Sequence, residues 1–105
     1  FYRTVFDWKI NPVPNMGYTI LHTVSIDKDS MPLEKGAING GMMKRNSPIT
    51  SPVITISVDN IEYSLEKVKQ NHGQVVKEKF QVGTMGYAAY FKDSEGNIMG
   101  LWQNL

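Results

Sequence analysis

Residues 85–103 read MGYAAYFKDSEGNIMGLWQ, and this stretch decides the fold. The run YAAYFK (87–92) is apolar and aromatic, as strands are. DSEG (93–96) packs two acids and a glycine into a corner, the composition of a tight turn. NIMGLWQ (97–103) is a second apolar run, so the stretch is a hairpin. Gly100 interrupts its closing strand. A strand glycine weakens the strand and marks a place where something approaches the backbone closely.

Working backwards, VITISV (53–58) is a β-branched strand. Asp59 and Glu62 have the spacing of a capping box. Ile61, Leu65 and Val68 follow at spacings of four and three, one face of a helix. Glu62 and Glu66 near its start, and Lys67 and Lys69 near its end, suit the helix dipole. Gly73 is the expected left-handed stop, and QVVKEKF (74–80) is a strand. The second half therefore reads β-α-β-β-β.

The first half repeats this pattern without its beginning. Phe1, Tyr2, Val5 and Phe6 have helical spacing, and Asp7 suits the left-handed end of that helix. Trp8 and Ile10 alternate like a strand, and NPVPNMG (11–17) reads as a turn. YTILHTVSI (18–26) is a strand that places Tyr18, Ile20, His22, Val24 and Ile26 on one face. Residues 27–36 read as a surface loop, and AINGGMMKR (37–45) as a glycine-centred strand. Laid over each other, FDWKI falls on HGQVV and GAINGG on GNIMGL, which pairs Gly40 with Gly100. The expected organisation is one α+β domain of two βαβββ modules, forming a cupped, incompletely closed eight-stranded sheet. The first module (1–46) lacks its first strand and most of its helix. The proline-rich NSPITSP supplies a linker at 47–52, and the second module is 53–105.

Composition narrows the function. The chain of 105 residues carries 11 basic and 10 acidic side chains, so it has no electrostatic footprint for nucleic acid or an anionic membrane. Cysteine is absent, which excludes disulfides, thiol catalysis and zinc–thiolate sites and fits a cytoplasmic setting. No apolar run approaches the ~18 residues of a membrane span. The chain begins with Phe1 inside an amphipathic pattern, which reads as the end of a longer helix.

The sequence resembles the vicinal oxygen chelate superfamily, which includes glyoxalase I, bleomycin-resistance proteins and extradiol dioxygenases. FYRTVFDW resembles the family's Phe-Tyr-x-x-Val-Phe-Gly-Trp, with Asp7 in place of glycine. VDNIEYSLEKVKQNHGQVV resembles its second-module helix. KDSEGNIMGLWQ resembles its closing Asp-Pro-Glu-Gly-Asn hairpin, with Ser94 in place of proline. The flavour is that of small glyoxalase-like proteins. Metal-using members draw ligands from the first strand of each module and from a glutamate in the last. Carried over, those positions fall on Val53, Gly100, Gly40 and a place before Phe1, so three of the four have no donor atom. The resemblance therefore implies no metal centre and no cofactor here.

The alternation places Val53, Thr55, Ser57, Gly100 and Trp102 in the cup, away from the helix, together with Ile98. Tyr90 joins them; Tyr87 competes, because aromatics occupy both parities. His22 serves either as a pocket base or ligand, or as a partly buried strand histidine with a hydrogen-bond partner. His72 reads as a cation at a helix end. The expected ligand-binding set is His22, Gly40, Val53, Thr55, Ser57, Tyr90, Gly100 and Trp102. The function read from the sequence is metal-free binding of an unidentified small molecule. The alternative is a glyoxalase-like lyase or isomerase using His22, a tyrosine or upstream residues. An unpaired sheet edge in the first module leads us to expect a homodimer.

Overall fold

The structure is a computed structural model and describes residues 1–105. The chain is mixed α+β, with two helices and seven strands in two sheets, neither closed into a barrel. It divides into two compact units, residues 1–44 and 45–105. No helix is long and apolar enough to cross a membrane.

The first unit comprises α1 (Tyr2–Phe6), β1 (Lys9–Val13), β2 (Tyr18–His22) and β3 (Gly40–Met43), with strand order β1-β2-β3, antiparallel throughout. Asp7 ends α1 in the left-handed region at φ 57°, as its short polar side chain permits. Tyr2 stacks on Trp8 with ring centroids 4.8 Å apart, and Phe6 lies 5.7 Å from the same indole. β1 runs on through Asn11 and Pro12, so the turn is shorter than 11–17. An edge strand tolerates that proline because its missing N–H faces away from the ladder.

β2 ends at His22 rather than Ile26, and the reason is Asn39. Its Oδ1 accepts from the Thr23 amide at 2.8 Å and from the Thr23 hydroxyl at 3.2 Å, replacing the ladder with a side-chain clasp. Beyond it, residues 27–31 are an ordered corner. Asp27 Oδ1 accepts from the amides of Asp29 (2.8 Å) and Met31 (3.0 Å), and Ser30 is left-handed at φ 63°. The hairpin corner of the second unit is built identically. There Asp93 Oδ1 accepts from Glu95 and Asn97, both at 2.9 Å, and Gly96 is left-handed at φ 84°. Both are aspartate-anchored turns of the same spacing.

The second unit comprises β4 (Thr55–Ser57), α2 (Ile61–Gln70), β5 (Gln74–Val82), β6 (Gly86–Lys92) and β7 (Ile98–Asn104), the order β-α-β-β-β. The sheet order is β4-β7-β6-β5, with β4 parallel to β7 and the other pairs antiparallel. α2 packs Ile61 and Leu65 against Ala89, Phe91 and Leu101. Full burial of such a side chain stabilises by about 1.5–3 kcal/mol. Val58, Val68 and Met99 pack around this core, as the alternation requires. Ile54 and Ile56 do not; both stay exposed, and the main sheet contacts of α2 are with β5, β6 and β7.

The ends of α2 differ from the sequence reading. Asn60, not Asp59, is the N-cap, and its Oδ1 accepts from the Tyr63 amide at 2.8 Å. Gln103 reaches across from β7 to accept from the Ile61 amide at 2.9 Å. Glu62 is free to meet Lys79 at 3.1 Å instead of closing a capping box. At the other end His72, not Gly73, takes the left-handed position, at φ 68°. The Gly73 amide then donates to the Val68 carbonyl at 2.9 Å, the long bond of a Schellman motif. Glycine is needed at 73 for space: a Cβ there would lie 2.5 Å from Val68 Cγ1 and 2.8 Å from the Lys92 carbonyl.

Candidate functional site

The strand registers place each expected site residue on a face. In the second unit two rows cross the sheet on the side away from α2. One row is Lys77, Tyr90, Gly100 and Thr55; the next is Phe80, Ala88, Trp102 and Ser57. Five of the expected residues, Thr55, Ser57, Tyr90, Gly100 and Trp102, therefore share one face. The ambiguity between the tyrosines resolves the same way, because Tyr87 packs on the core under α2. Val53 lies outside this array, since β4 begins at Thr55 and 53 is not in a strand.

Gly100 and Ala88 are buried and form the floor of the face. Phe80 stacks on Tyr90 with centroids 6.2 Å apart, and the Lys77 ammonium sits 3.9 Å from the centre of the Phe80 ring. Burial pushes the Tyr90 phenol above its ordinary value of 10.0, so at neutral pH it is a hydrogen-bond donor. The Trp102 ring lies over Gly86, where a Cβ would come 2.7 Å from its six-membered ring, and its indole N–H donates to Asn104 at 2.8 Å. Phe80 and Lys77 were not among the expected residues. β5 changes register twice across Val75–Phe80, so a strict two-residue period does not predict which of its side chains reach this face.

The sheet of the first unit corrects the pairing of Gly40 with Gly100. Leu21 pairs with Gly40 and Ile20 with Gly41, so Gly40 and His22 lie on opposite faces and cannot line one surface. Gly40 shares its face with Met42 and, through Leu21, with Ile10. Ile10 and Met42 line a hollow with Phe1, Tyr2 and Arg3, so this is the α1 side. Gly41, on the other face with Ile20, is the counterpart of Gly100. The correspondence at the helix ends is shifted by one residue as well: Asp7 corresponds to His72, not to Gly73, since both are left-handed and strands begin two residues later at Lys9 and Gln74.

His22 sits on the Gly41 face. Its Nδ1 lies 3.3 Å from Asn11 Nδ2, and it borders a small hollow of about 150 Å³ with Asp7, Lys9, Thr23, Val24 and Ser25. His72 is taken up by its backbone role at the helix end.

Each of the two glycines is covered by a hydroxyl-bearing neighbour. A Cβ built on Gly100 would lie 2.6 Å from Thr55 Oγ1, and one built on Gly41 would collide with the phenol of Tyr18. The residues present do not fit a divalent ion here. Thr55 fills the space through which a side chain at 100 would project, and nowhere do three or more His, Cys, Asp or Glu side chains gather.

A β-α-β-β-β unit with its first and last strands parallel, following an antiparallel three-stranded sheet in the chain, gives the protein a glyoxalase-like fold. A crystal structure of a glyoxalase family protein from Bacillus cereus matches with a TM-score of 0.50 at 16% identity, covering 84% of this chain and 61% of that one. In sequence the chain is similar to proteins named "Putative glyoxylase CFP32" from Mycobacterium bovis and Mycobacterium tuberculosis. Each is 29% identical over 109 aligned residues, which cover 98% of this chain. The chain spans about two fifths, 39%, of the length of these relatives. No protein-family model matches it.

Proposed function

We propose that this chain is a metal-independent small-molecule-binding protein of the glyoxalase/bleomycin-resistance type, and that the face carrying Thr55, Tyr90, Gly100 and Trp102 is where the ligand rests. The observation that carries the reading is the Thr55 hydroxyl over Gly100. It replaces a charged donor with a neutral one at the centre of the face. Aromatic walls, a small-residue floor and a few hydroxyls are the ordinary materials of a small-molecule site. Partners beyond the ligand are a second copy of the chain, through the open edge of β3, and neither nucleic acid nor membrane; the setting is cytoplasmic.

The second reading is a glyoxalase-like lyase, favoured by the mycobacterial relatives' name. Two measurements separate them. The protein purified without added metal is assayed for bound nickel, zinc and iron, and for turnover of the hemithioacetal of methylglyoxal. Binding without chemistry predicts substoichiometric metal, no turnover, and a melting temperature that rises with ligand. One equivalent of tightly held metal, or turnover abolished by a chelator, overturns the metal-independent reading.

A further inference from the structure

The charges of the second unit are sorted between the two sides of its sheet. On the α2 side, Glu62 pairs with Lys79, Glu66 pairs with Lys69 at 2.6 Å, and Glu78 acts electrostatically on Lys69. The opposite face has no such balance. Its registered strand residues include Lys77, opposite Tyr90, and Lys92, opposite Ile98 and Gln74, and no carboxylate. Lys77 is exposed and is held in place by the Phe80 ring rather than by an acid. Two unneutralised ammonium groups therefore flank an array of Phe80, Tyr90 and Trp102.

Resting on the binding reading above, we propose that this face selects a planar aromatic carboxylate. The ring would lie over Gly100 against Tyr90 and Trp102, and the carboxylate would be drawn to Lys77 and Lys92. Glycine and alanine on the floor allow a flat ring to approach the backbone closely. The aromatic side chains supply stacking surface. Lysine acts as a point charge and so favours any carboxylate within reach. A cationic ring meets two like charges and is rejected.

The test uses three probes of one shape: 2-naphthoate, the neutral 2-naphthamide and the cationic 2-naphthylmethylamine. Cyclohexanecarboxylate serves as the anion without a ring. Binding is followed by titration calorimetry at low and high salt. The acid is expected to bind about tenfold more tightly than the amide at low salt, with the gap narrowing at high salt, as screening requires of exposed charges. Lys77→Met keeps the aliphatic stem over Phe80 and is expected to remove most of the gap without lowering the melting temperature. Lys92→Gln should remove part of it if Lys77→Met proves unstable. Equal affinity for acid and amide, or tighter binding of the amine, overturns the proposal, as does cyclohexanecarboxylate binding as well as naphthoate. If no probe binds while a non-aromatic molecule raises the melting temperature, this proposal falls and the binding reading stands. If turnover with stoichiometric metal is found, the binding reading itself falls.

Discussion

Replacing Gly100 with alanine tests the close contact at the centre of the second sheet. The new Cβ would lie 2.6 Å from Thr55 Oγ1, 3.3 Å from its Cβ and 3.4 Å from its Cγ2. Nothing about the Gly100 backbone forbids alanine, since its φ is not in the left-handed region. Two effects then oppose each other. Alanine in place of glycine within a strand stabilises by about 0.5–1 kcal/mol through the backbone. Forcing a methyl into filled space costs about 1–3 kcal/mol. Thr55 Oγ1 can swing away, but its Cβ cannot without moving β4, and β4 is tied by the Gly100 amide to the Ile54 carbonyl at 2.9 Å. The contact therefore wins, for a net loss of about 1 kcal/mol. In a domain of this size that is a fall of about 4–8 °C in melting temperature. Urea denaturation of Gly100→Ala, Thr55→Ala and the double variant gives the coupling directly. The double variant should be more stable than the sum of the singles by about 1 kcal/mol. If Gly100→Ala is as stable as the parent, or the two changes simply add, Thr55 does not occupy that space.

Other variants probe the supports of the site. Ser30→Gly removes the strain of a left-handed serine and should stabilise by about 0.5–1 kcal/mol, raising the melting temperature. Gln103→Ala leaves the first amide of α2 without its acceptor. It should cost about 1 kcal/mol and speed hydrogen exchange at Ile61, while Gln103→Glu retains the bond. Hydrogen bonds from Asn97 and the turn amides hold the Asp93 carboxylate below its ordinary value of 3.8. Such a group contributes stability that is fully present above 3.8 and lost as pH falls through the lower folded value. Asp93→Asn should flatten the stability curve below about pH 4 and leave its slope above pH 5 unchanged.

The sequence carried the second unit more clearly than the first, for physical reasons. Ile61, Leu65 and Val68 signal a helix whose stripe is buried, and Met99 and Leu101 sit under it as alternation demands. In the first unit no residue is fully buried, so pattern had less to report. The strand at 18–26 was overdrawn because Asn39, far along the chain, supplies the acceptor that ends it. The corner at 27–31 was legible in principle: DKDSM has the spacing of DSEGN, but serine in place of glycine concealed the left-handed position. The one-residue slip that exchanged Gly40 for Gly41 arose where two adjacent glycines offer no side-chain pattern to fix a register. Lys77 and Phe80 were hidden by the irregularities of β5.

The bond from the Ile61 amide to Gln103 spans 42 residues. β4 likewise finds its only strand partner in β7. Both β4 and the start of α2 therefore wait for the unit's final strand to be synthesised. Until the ribosome has passed Gln103, α2 lacks an acceptor for its first amide and the Leu101 part of the surface it packs on, so it gains less from forming early. The second unit should then acquire protection from proteases in one late step, after release of its last strand, rather than helix first. Nascent chains stalled before and after Ile98–Asn104 would show that step as a single change in digestion pattern.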